Sequence, residues 1–305
     1  MSAPSFVHDA LFYSNDEEYV QGVGGFVRAG AEAGAALLVA VPDRKLALLR
    51  RELAPLDGRV TFADMAQIGA NPARIIPFVR ELVDASRDRP VRFVGEPIWA
   101  GRTAAELVEG VRHEGLLNAA FADTSAHILC PYDARKLPAA VLGEARRTHP
   151  SLLCDGERHG CPEYVDPLVT YTAADRPLAE PAVLTLSLSV DEDLVAFRSA
   201  VKEHALAAGL DPARVSSFVL AANEAAANTL VHAGGDGAAR LWEDEGEVVC
   251  EVSDSGVIDD PLVGRRIPPV DREGSRGIWL MHQLSDLVEL RSGPGGTVVR
   301  IHMRR

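Results

Sequence analysis

Short apolar runs alternate with stretches of helical spacing through the first half of the chain. The runs at 8–13 (HDALFY), 36–42 (ALLVAVP), 60–65 (VTFADM), 91–99 (VRFVGEPIW) and 126–133 (AHILCPYD) have the length and bounding turns of buried strands. Between them, helical patterns cover 15–33, 43–54, 71–87, 103–120 and 137–149; SNDEE supplies a capping sequence for the first and NPAR for the third. Strand and helix in alternation predict an α/β domain with a mainly parallel sheet, placed at residues 1–160.

The pattern breaks after Cys161. Residues 161–182 carry prolines at 162, 167, 177 and 181 without a helical period, and read as a Pro-rich linker. Beyond it, 182–190 alternates like a half-buried strand, and helical patterns occupy 191–208, 212–232 and 276–286. Strand-like runs at 239–245, 247–256, 287–296 and 297–305 complete an α+β sandwich with an antiparallel sheet, residues 183–305. The expected fold is thus two domains, α/β then α+β.

Composition narrows the class. The chain is 47% hydrophobic and 25% charged, and its longest apolar run, AGAALLVAV from Ala33, is half the length of a membrane span. No membrane association is expected. The opening MSAPSFVHDALFY lacks a basic region followed by an apolar one, and four scattered cysteines fit a reducing compartment, so the expectation is a cytoplasmic protein. A net charge of −13 argues against a nucleic-acid surface and suits partners with basic faces. Cys154, His159 and Cys161 could supply three zinc ligands, but no fourth follows at matching spacing. The segment reads as a plain surface loop.

The chemistry concentrates in the second half. In NEAAANTLVH, Glu224, Asn228 and His232 recur every four residues and drift only about 80° around a helix, so they share a face. Alone, that is a solvated stripe. Downstream, VSDSG places Asp254 and Gly256 directly after an apolar strand, which by itself marks a turn. Gly274 and Gly277 precede an amphipathic helix, where backbone N–H groups approach an anion or merely form a cap. Gly295, Gly296 and Thr297 open the last strand, as in a hairpin turn.

In this order and separation the four motifs resemble the boxes of the GHKL ATPase fold, the Bergerat sandwich: E-x-x-x-N, D-x-G, a second glycine box and G-G-T. Within that fold, NEAAANTLVHAGG and SRGIWLMHQLSDLVELRSGPGGTVVRIHM resemble the anti-sigma factor serine/threonine kinases of the RsbW and SpoIIAB type. In the first half, HDALFYSNDEEYV, LLVAVP, FVGEPIWAGR and ILCPYD resemble the MEDS sensory domain.

The resemblance implies ATP and Mg²⁺ as cofactors. It implies Asn228 as the Mg²⁺ ligand and Glu224 as the base that takes the proton of a serine or threonine hydroxyl. Asp254 would accept from the adenine amino group, Thr297 would support the same edge, and Gly256 would let the base lie against backbone. Backbone N–H groups around Gly274, Ser275, Arg276 and Gly277 would meet the phosphates, with Arg276 adding charge. His232 is either a phosphate-side contact or a helix C-cap. The region 257–273, rich in proline and charge, is the expected mobile lid.

The implied partners are a sigma factor and an anti-anti-sigma, STAS-type antagonist, with homodimerisation open. A small-molecule ligand in the first domain would meet Glu96, Trp99, His113, Glu114, Asn118 and Tyr132 at the strand ends, unless these are ordinary core and surface residues. No G-x-x-x-x-G-K-[ST] cradle exists in the chain. Two alternatives stand beside the kinase. In a non-catalytic ATP-binding switch, the base Glu224 would have no task. A sensor histidine kinase would need a helical hairpin that 161–182 is too short and Pro-rich to hold.

Overall fold

The computed structural model describes residues 6–86, 89–181, 186–190, 194–233, 237–244, 246–268 and 276–305. These form two compact units, 1–174 and 175–305. No helix among the described residues is long and apolar enough to cross a membrane.

The first unit runs β1 (Val7–Tyr13), α1 (Asp16–Glu32), β2 (Ala36–Val41), α2 (Asp43–Glu52), β3 (Val60–Asp64), α3 (Met65–Ile68), α4 (Ile75–Ala85), β4 (Val91–Gly95), α5 (Ala104–Ala120), β5 (His127–Asp133), α6 (Ala139–Thr148), β6 (Ser151–Cys154), β7 (Glu157–Gly160) and α7 (Pro167–Ala173). Its sheet has the order β3-β2-β4-β5-β1-β6-β7, parallel throughout except for the edge strand β7. In β2, Leu37, Val39 and Val41 pack with α1 and α2 residues such as Val23, Leu46 and Leu49. Leu38 and Ala40, on the opposite face, are equally buried. Burial on both faces is why these strands read as unbroken apolar runs.

Three sequence expectations are corrected here. The strand expected over 91–99 stops at Gly95, because Pro97 lacks the N–H that a ladder requires. The expected loop after Cys154 is a hairpin, β6 and β7 turning at Asp155–Gly156, both at positive φ. Finally, 161–182 contains a helix. Asp166 accepts from Leu168 N at 2.8 Å and Pro167 occupies the first turn, so a cap starts α7 where the proline count suggested none.

The second unit contains β8 (Leu186–Val190), α8 (Leu194–Ala207), α9 (Pro212–His232), β9 (Gly237–Asp244), β10 (Glu247–Asp254), α10 (Gly277–Leu284), β11 (Leu287–Gly293) and β12 (Gly296–Arg304). The sheet is antiparallel in the order β11-β12-β10-β9-β8. One core joins Phe197, Val201, Phe218, Ala222, Ala226 and Met281 of the helices to Leu241, Cys250, Val252, Val288 and Ile301 of the strands. Across the strands, Arg240, Glu251, Arg300 and Glu289 stand in register, alternating in charge. Glu251 pairs with both arginines, and the Arg300 and Arg291 guanidiniums donate to the carbonyls of Ala179 (2.8 Å) and Arg176 (3.1 Å). Residues 176–179, part of the expected Pro-rich linker, thus hydrogen-bond to this sheet. The fold is the two-domain arrangement that the sequence predicted, with a GHKL-like sandwich second.

Candidate nucleotide site

Helix α9 begins at a sharp signal: Asp211 accepts from Ala213 N at 2.9 Å and Pro212 fills the first turn. Its buried stripe is Val215, Phe218, Ala222, Ala225, Ala226 and Thr229, and the alanines leave room for the helix to sit close on the sheet. Glu224 and Asn228, along the edge of that stripe, are half-buried, and His232 is exposed. The slow drift of an i, i+4, i+8 series carries the three from the packed edge toward solvent.

A cleft of about 880 Å³ opens beside α9. Asn228, His232, Asp254, Gly256 and Thr297 line it, together with Asp259, Asp260, Arg266 and Ile278. Ligand sites commonly span roughly 300–1,000 Å³, so the cleft has the volume for a nucleotide. Glu224 lies outside that lining, one turn before Asn228. It meets the site through Gly277, the first residue of α10. A Cβ built on Gly277 would stand 3.0 Å from Glu224 Oε2 and 3.2 Å from Asn228 Nδ2. Any side chain at this position would press on the ends of both polar groups.

At the far wall, Asp254 ends β10 opposite Thr297 of β12. Its carboxylate accepts from the Thr229 hydroxyl and from Gly256 N, each at 2.8 Å. The Thr297 hydroxyl donates to the Gly256 carbonyl at 2.8 Å and so must accept from Ser292 Oγ, also 2.8 Å away. Ser292 in turn accepts from Ile258 N at 2.7 Å. This relay fixes the loop that leaves β10. Thr297, expected to support the adenine edge, commits its proton to that loop.

Arg276 is the N-cap of α10 and is exposed; no side chain among the described residues caps this helix. Gly274 and Ser275, and residues 269–273 of the expected lid, lie outside the described residues. Residues 257–268 are described and line much of the cleft. The helix C-cap is Ala233, which leaves His232 as the last helical residue, on the cleft wall.

Sequence reasoning missed Thr229 and Ser292. Thr229 carried a signal, a hydroxyl beside Asn228 on the buried side of the helix. Ser292 carried none, since only the register of β11 with β12 sets it opposite Thr297.

In the first unit, the residues expected around a small-molecule pocket fall into separate buried groups. Glu96 accepts from the Tyr13 and Tyr19 hydroxyls (3.2 and 3.5 Å) and pairs with Lys45. Burial pushes its carboxyl up to about 7, against the pull of Lys45. Glu114, Asn118 and Tyr132 share a second group, with Tyr132 donating to Glu114 at 2.9 Å. His113 is also buried. Trp99 instead stacks under the Arg102 guanidinium, 3.7 Å from ring centre to carbon. Of the cysteine cluster, Cys154 is exposed and Cys161 donates to the Arg146 carbonyl at 3.2 Å.

An antiparallel sheet backed by α8, α9 and α10, with a cleft where α9, α10 and the β10 end converge, is the arrangement of a GHKL-like ATPase sandwich. Residues 188–303 match the family described as histidine kinase-like ATPase domain. Residues 7–150 match MEDS, the methanogen/methylotroph, DcmR sensory domain. The chain is therefore a MEDS domain followed by a GHKL-like ATPase domain. No curated protein matches it. Among solved structures, the RsbU and RsbW domains of a Mycobacterium tuberculosis protein are similar at 18% identity with a TM-score of 0.30. That similarity covers 39% of this chain and 32% of the other, so the chain spans about a third of the structure it matches.

Proposed function

We propose that the chain is an ATP-dependent serine/threonine protein kinase of the anti-sigma type. It holds a sigma factor and phosphorylates a serine or threonine of a STAS-type antagonist, under control of its MEDS domain. The observation that carries this reading is the meeting of Glu224 and Asn228 at Gly277, beside the cleft that Asp254 and Thr297 close.

The residues fit a nucleotide with its magnesium. Asp254 is held by two donors and keeps acceptor capacity for an adenine amino group. The Asn228 carboxamide supplies a hard oxygen at the cleft edge, suited to Mg²⁺, whose chemistry would be to neutralise phosphate charge. The first turn of α10 would present N–H groups to the phosphates. Glu224 would take the proton of the attacking hydroxyl as its oxygen bonds to the γ-phosphorus and the bond to the β-phosphate oxygen breaks.

The test is transfer of label from ATP to a STAS-type antagonist. Glu224→Gln is expected to slow transfer by about 100-fold or more while nucleotide affinity holds within about threefold. Transfer that survives in this variant overturns the role of Glu224. Nucleotide binding with no transfer by the unaltered chain would favour an ATP-driven binding switch.

A further inference from the structure

The MEDS unit encloses a polar cluster with no part in the ATP site. His8 on β1, Glu114 on α5, Cys130 on β5 and His149 directly after α6 are each 0–1% exposed. One donor atom from each lies within 4.8 Å of all the others. His8 Nε2 is 3.2 Å from Glu114 Oε2 and 3.4 Å from Cys130 Sγ. Glu114 Oε2 is 3.4 Å from Cys130 Sγ and 3.6 Å from His149 Nε2. Ligands about 2.0–2.3 Å from a tetrahedral zinc stand roughly 3.3–3.8 Å from one another, and these four separations fall on or just below that range.

The surroundings set both imidazoles as ligands. Asn118 Nδ2 donates to the Thr148 carbonyl at 2.8 Å, which turns its Oδ1 toward His8 Nδ1 at 3.2 Å. An amide oxygen only accepts, so the His8 proton sits on Nδ1 and the Nε2 lone pair faces the cluster. His149 Nδ1 lies 2.7 Å from the Ala145 carbonyl, with the same consequence. Its Nε2, fully buried, has no hydrogen-bond partner among the described residues. An imidazole lone pair and a carboxylate oxygen then face one another across 3.6 Å, an arrangement that a cation between them would satisfy.

We propose that His8, Glu114, Cys130 and His149 form a closed tetrahedral site for a divalent transition metal of the zinc class. Two imidazoles, a thiolate and a carboxylate are a donor set suited to Zn²⁺. On binding, the Cys130 thiol gives its proton to solvent. Two negative ligands then balance the ion, so the buried site is neutral. Asn118, the Ala145 carbonyl and Tyr132 hold the ligands from behind. The ion would join β1, β5, α5 and the α6–β6 junction, which nothing local in the sequence brings together.

The test uses the full chain, stripped with a chelator and titrated with Co²⁺ as an optical probe. The expected result is one Co²⁺ per chain with the visible bands of a tetrahedral ion and a near-ultraviolet thiolate charge-transfer band. Zn²⁺ should displace it and, at about 100 times its Kd, raise the melting temperature by roughly 5–10 °C. Cys130→Ser should abolish the thiolate band, and Cys154→Ser should leave it intact. Asn118→Ala, which removes a partner of His8 and none of the four donors, should weaken Zn²⁺ binding about 10–100-fold at unchanged stoichiometry. A stripped, folded chain that gives no tetrahedral Co²⁺ spectrum overturns the site. So does a thiolate band that persists in Cys130→Ser.

Discussion

The Thr229 hydroxyl donates a 2.8 Å hydrogen bond to Oδ2 of Asp254, tying α9 to the end of β10. Because Gly256 N holds the other oxygen, the carboxylate is oriented before any ligand arrives. Preorganisation of this kind lowers the cost of binding. Thr229→Val keeps the shape and removes the donor, at a cost of about 1 kcal/mol. Nucleotide affinity, measured by calorimetry, is expected to fall about fivefold and to return in Thr229→Ser. Equal affinity in the valine variant would show that the bond does not position Asp254.

Gly296 stands at φ +105°, and a Cβ there would collide with the Asp254 carbonyl oxygen. Strand β12 therefore cannot begin with any other residue without moving the β10 end. Gly296→Ala is expected to destabilise the second domain by about 2–4 kcal/mol, read as a lower midpoint in denaturant. Gly295→Ala, with nothing among the described residues within 4 Å of its added carbon, is the control and should shift it little.

At Gly277 the added carbon would press on the ends of the Glu224 and Asn228 side chains, which can swing aside. Gly277→Ala is accordingly expected to leave the melting temperature within about 2 °C while phosphoryl transfer falls roughly 10–100-fold. Single-turnover kinetics beside thermal melts separate the two. A full transfer rate would show that the contact does not set the geometry of the proposed base.

His302 carries the clearest pH dependence. Burial alone would lower it, but hydrogen bonds and attraction from Glu247 (2.9 Å) and Glu289 (3.1 Å) outweigh that and hold it up at about 9. Its folded value lies above the ordinary 6.5, so its stabilisation is fully present below that pH and is lost as pH rises through about 9. The loss is on the order of 3 kcal/mol. Denaturant midpoints between pH 6 and 10 should fall in the unaltered chain and flatten in His302→Gln. Parallel curves would assign the pH dependence to other groups.

Local signals made much of the fold legible. Helix α9 lies over 212–232 as expected, because Asp211, Pro212 and an apolar stripe of helical period all act within a few residues of one another. The parallel strands were legible as apolar runs because both faces of the sheet are covered. The hairpin β6–β7 was not, since every residue of Glu157–Gly160 is exposed and no alternation marks it. Helix α7 was hidden by the prolines around it, although Asp166 and Pro167 are a cap. In the candidate site, Glu224, Asn228, Asp254 and Thr297 carried motif spacing. The hydroxyls that fix them, on Thr229 and Ser292, did not.

By itself, then, the sequence determined two domains, the order of their main elements and the polar stripe on α9, because periodicity and capping are written in neighbouring residues. Only the tertiary structure decided that Gly277 closes on Glu224 and Asn228, that Thr229 reaches Asp254, and that His8, Glu114, Cys130 and His149 meet in one buried cluster. Those contacts depend on strand register and helix packing, which bring together residues that share no local spacing.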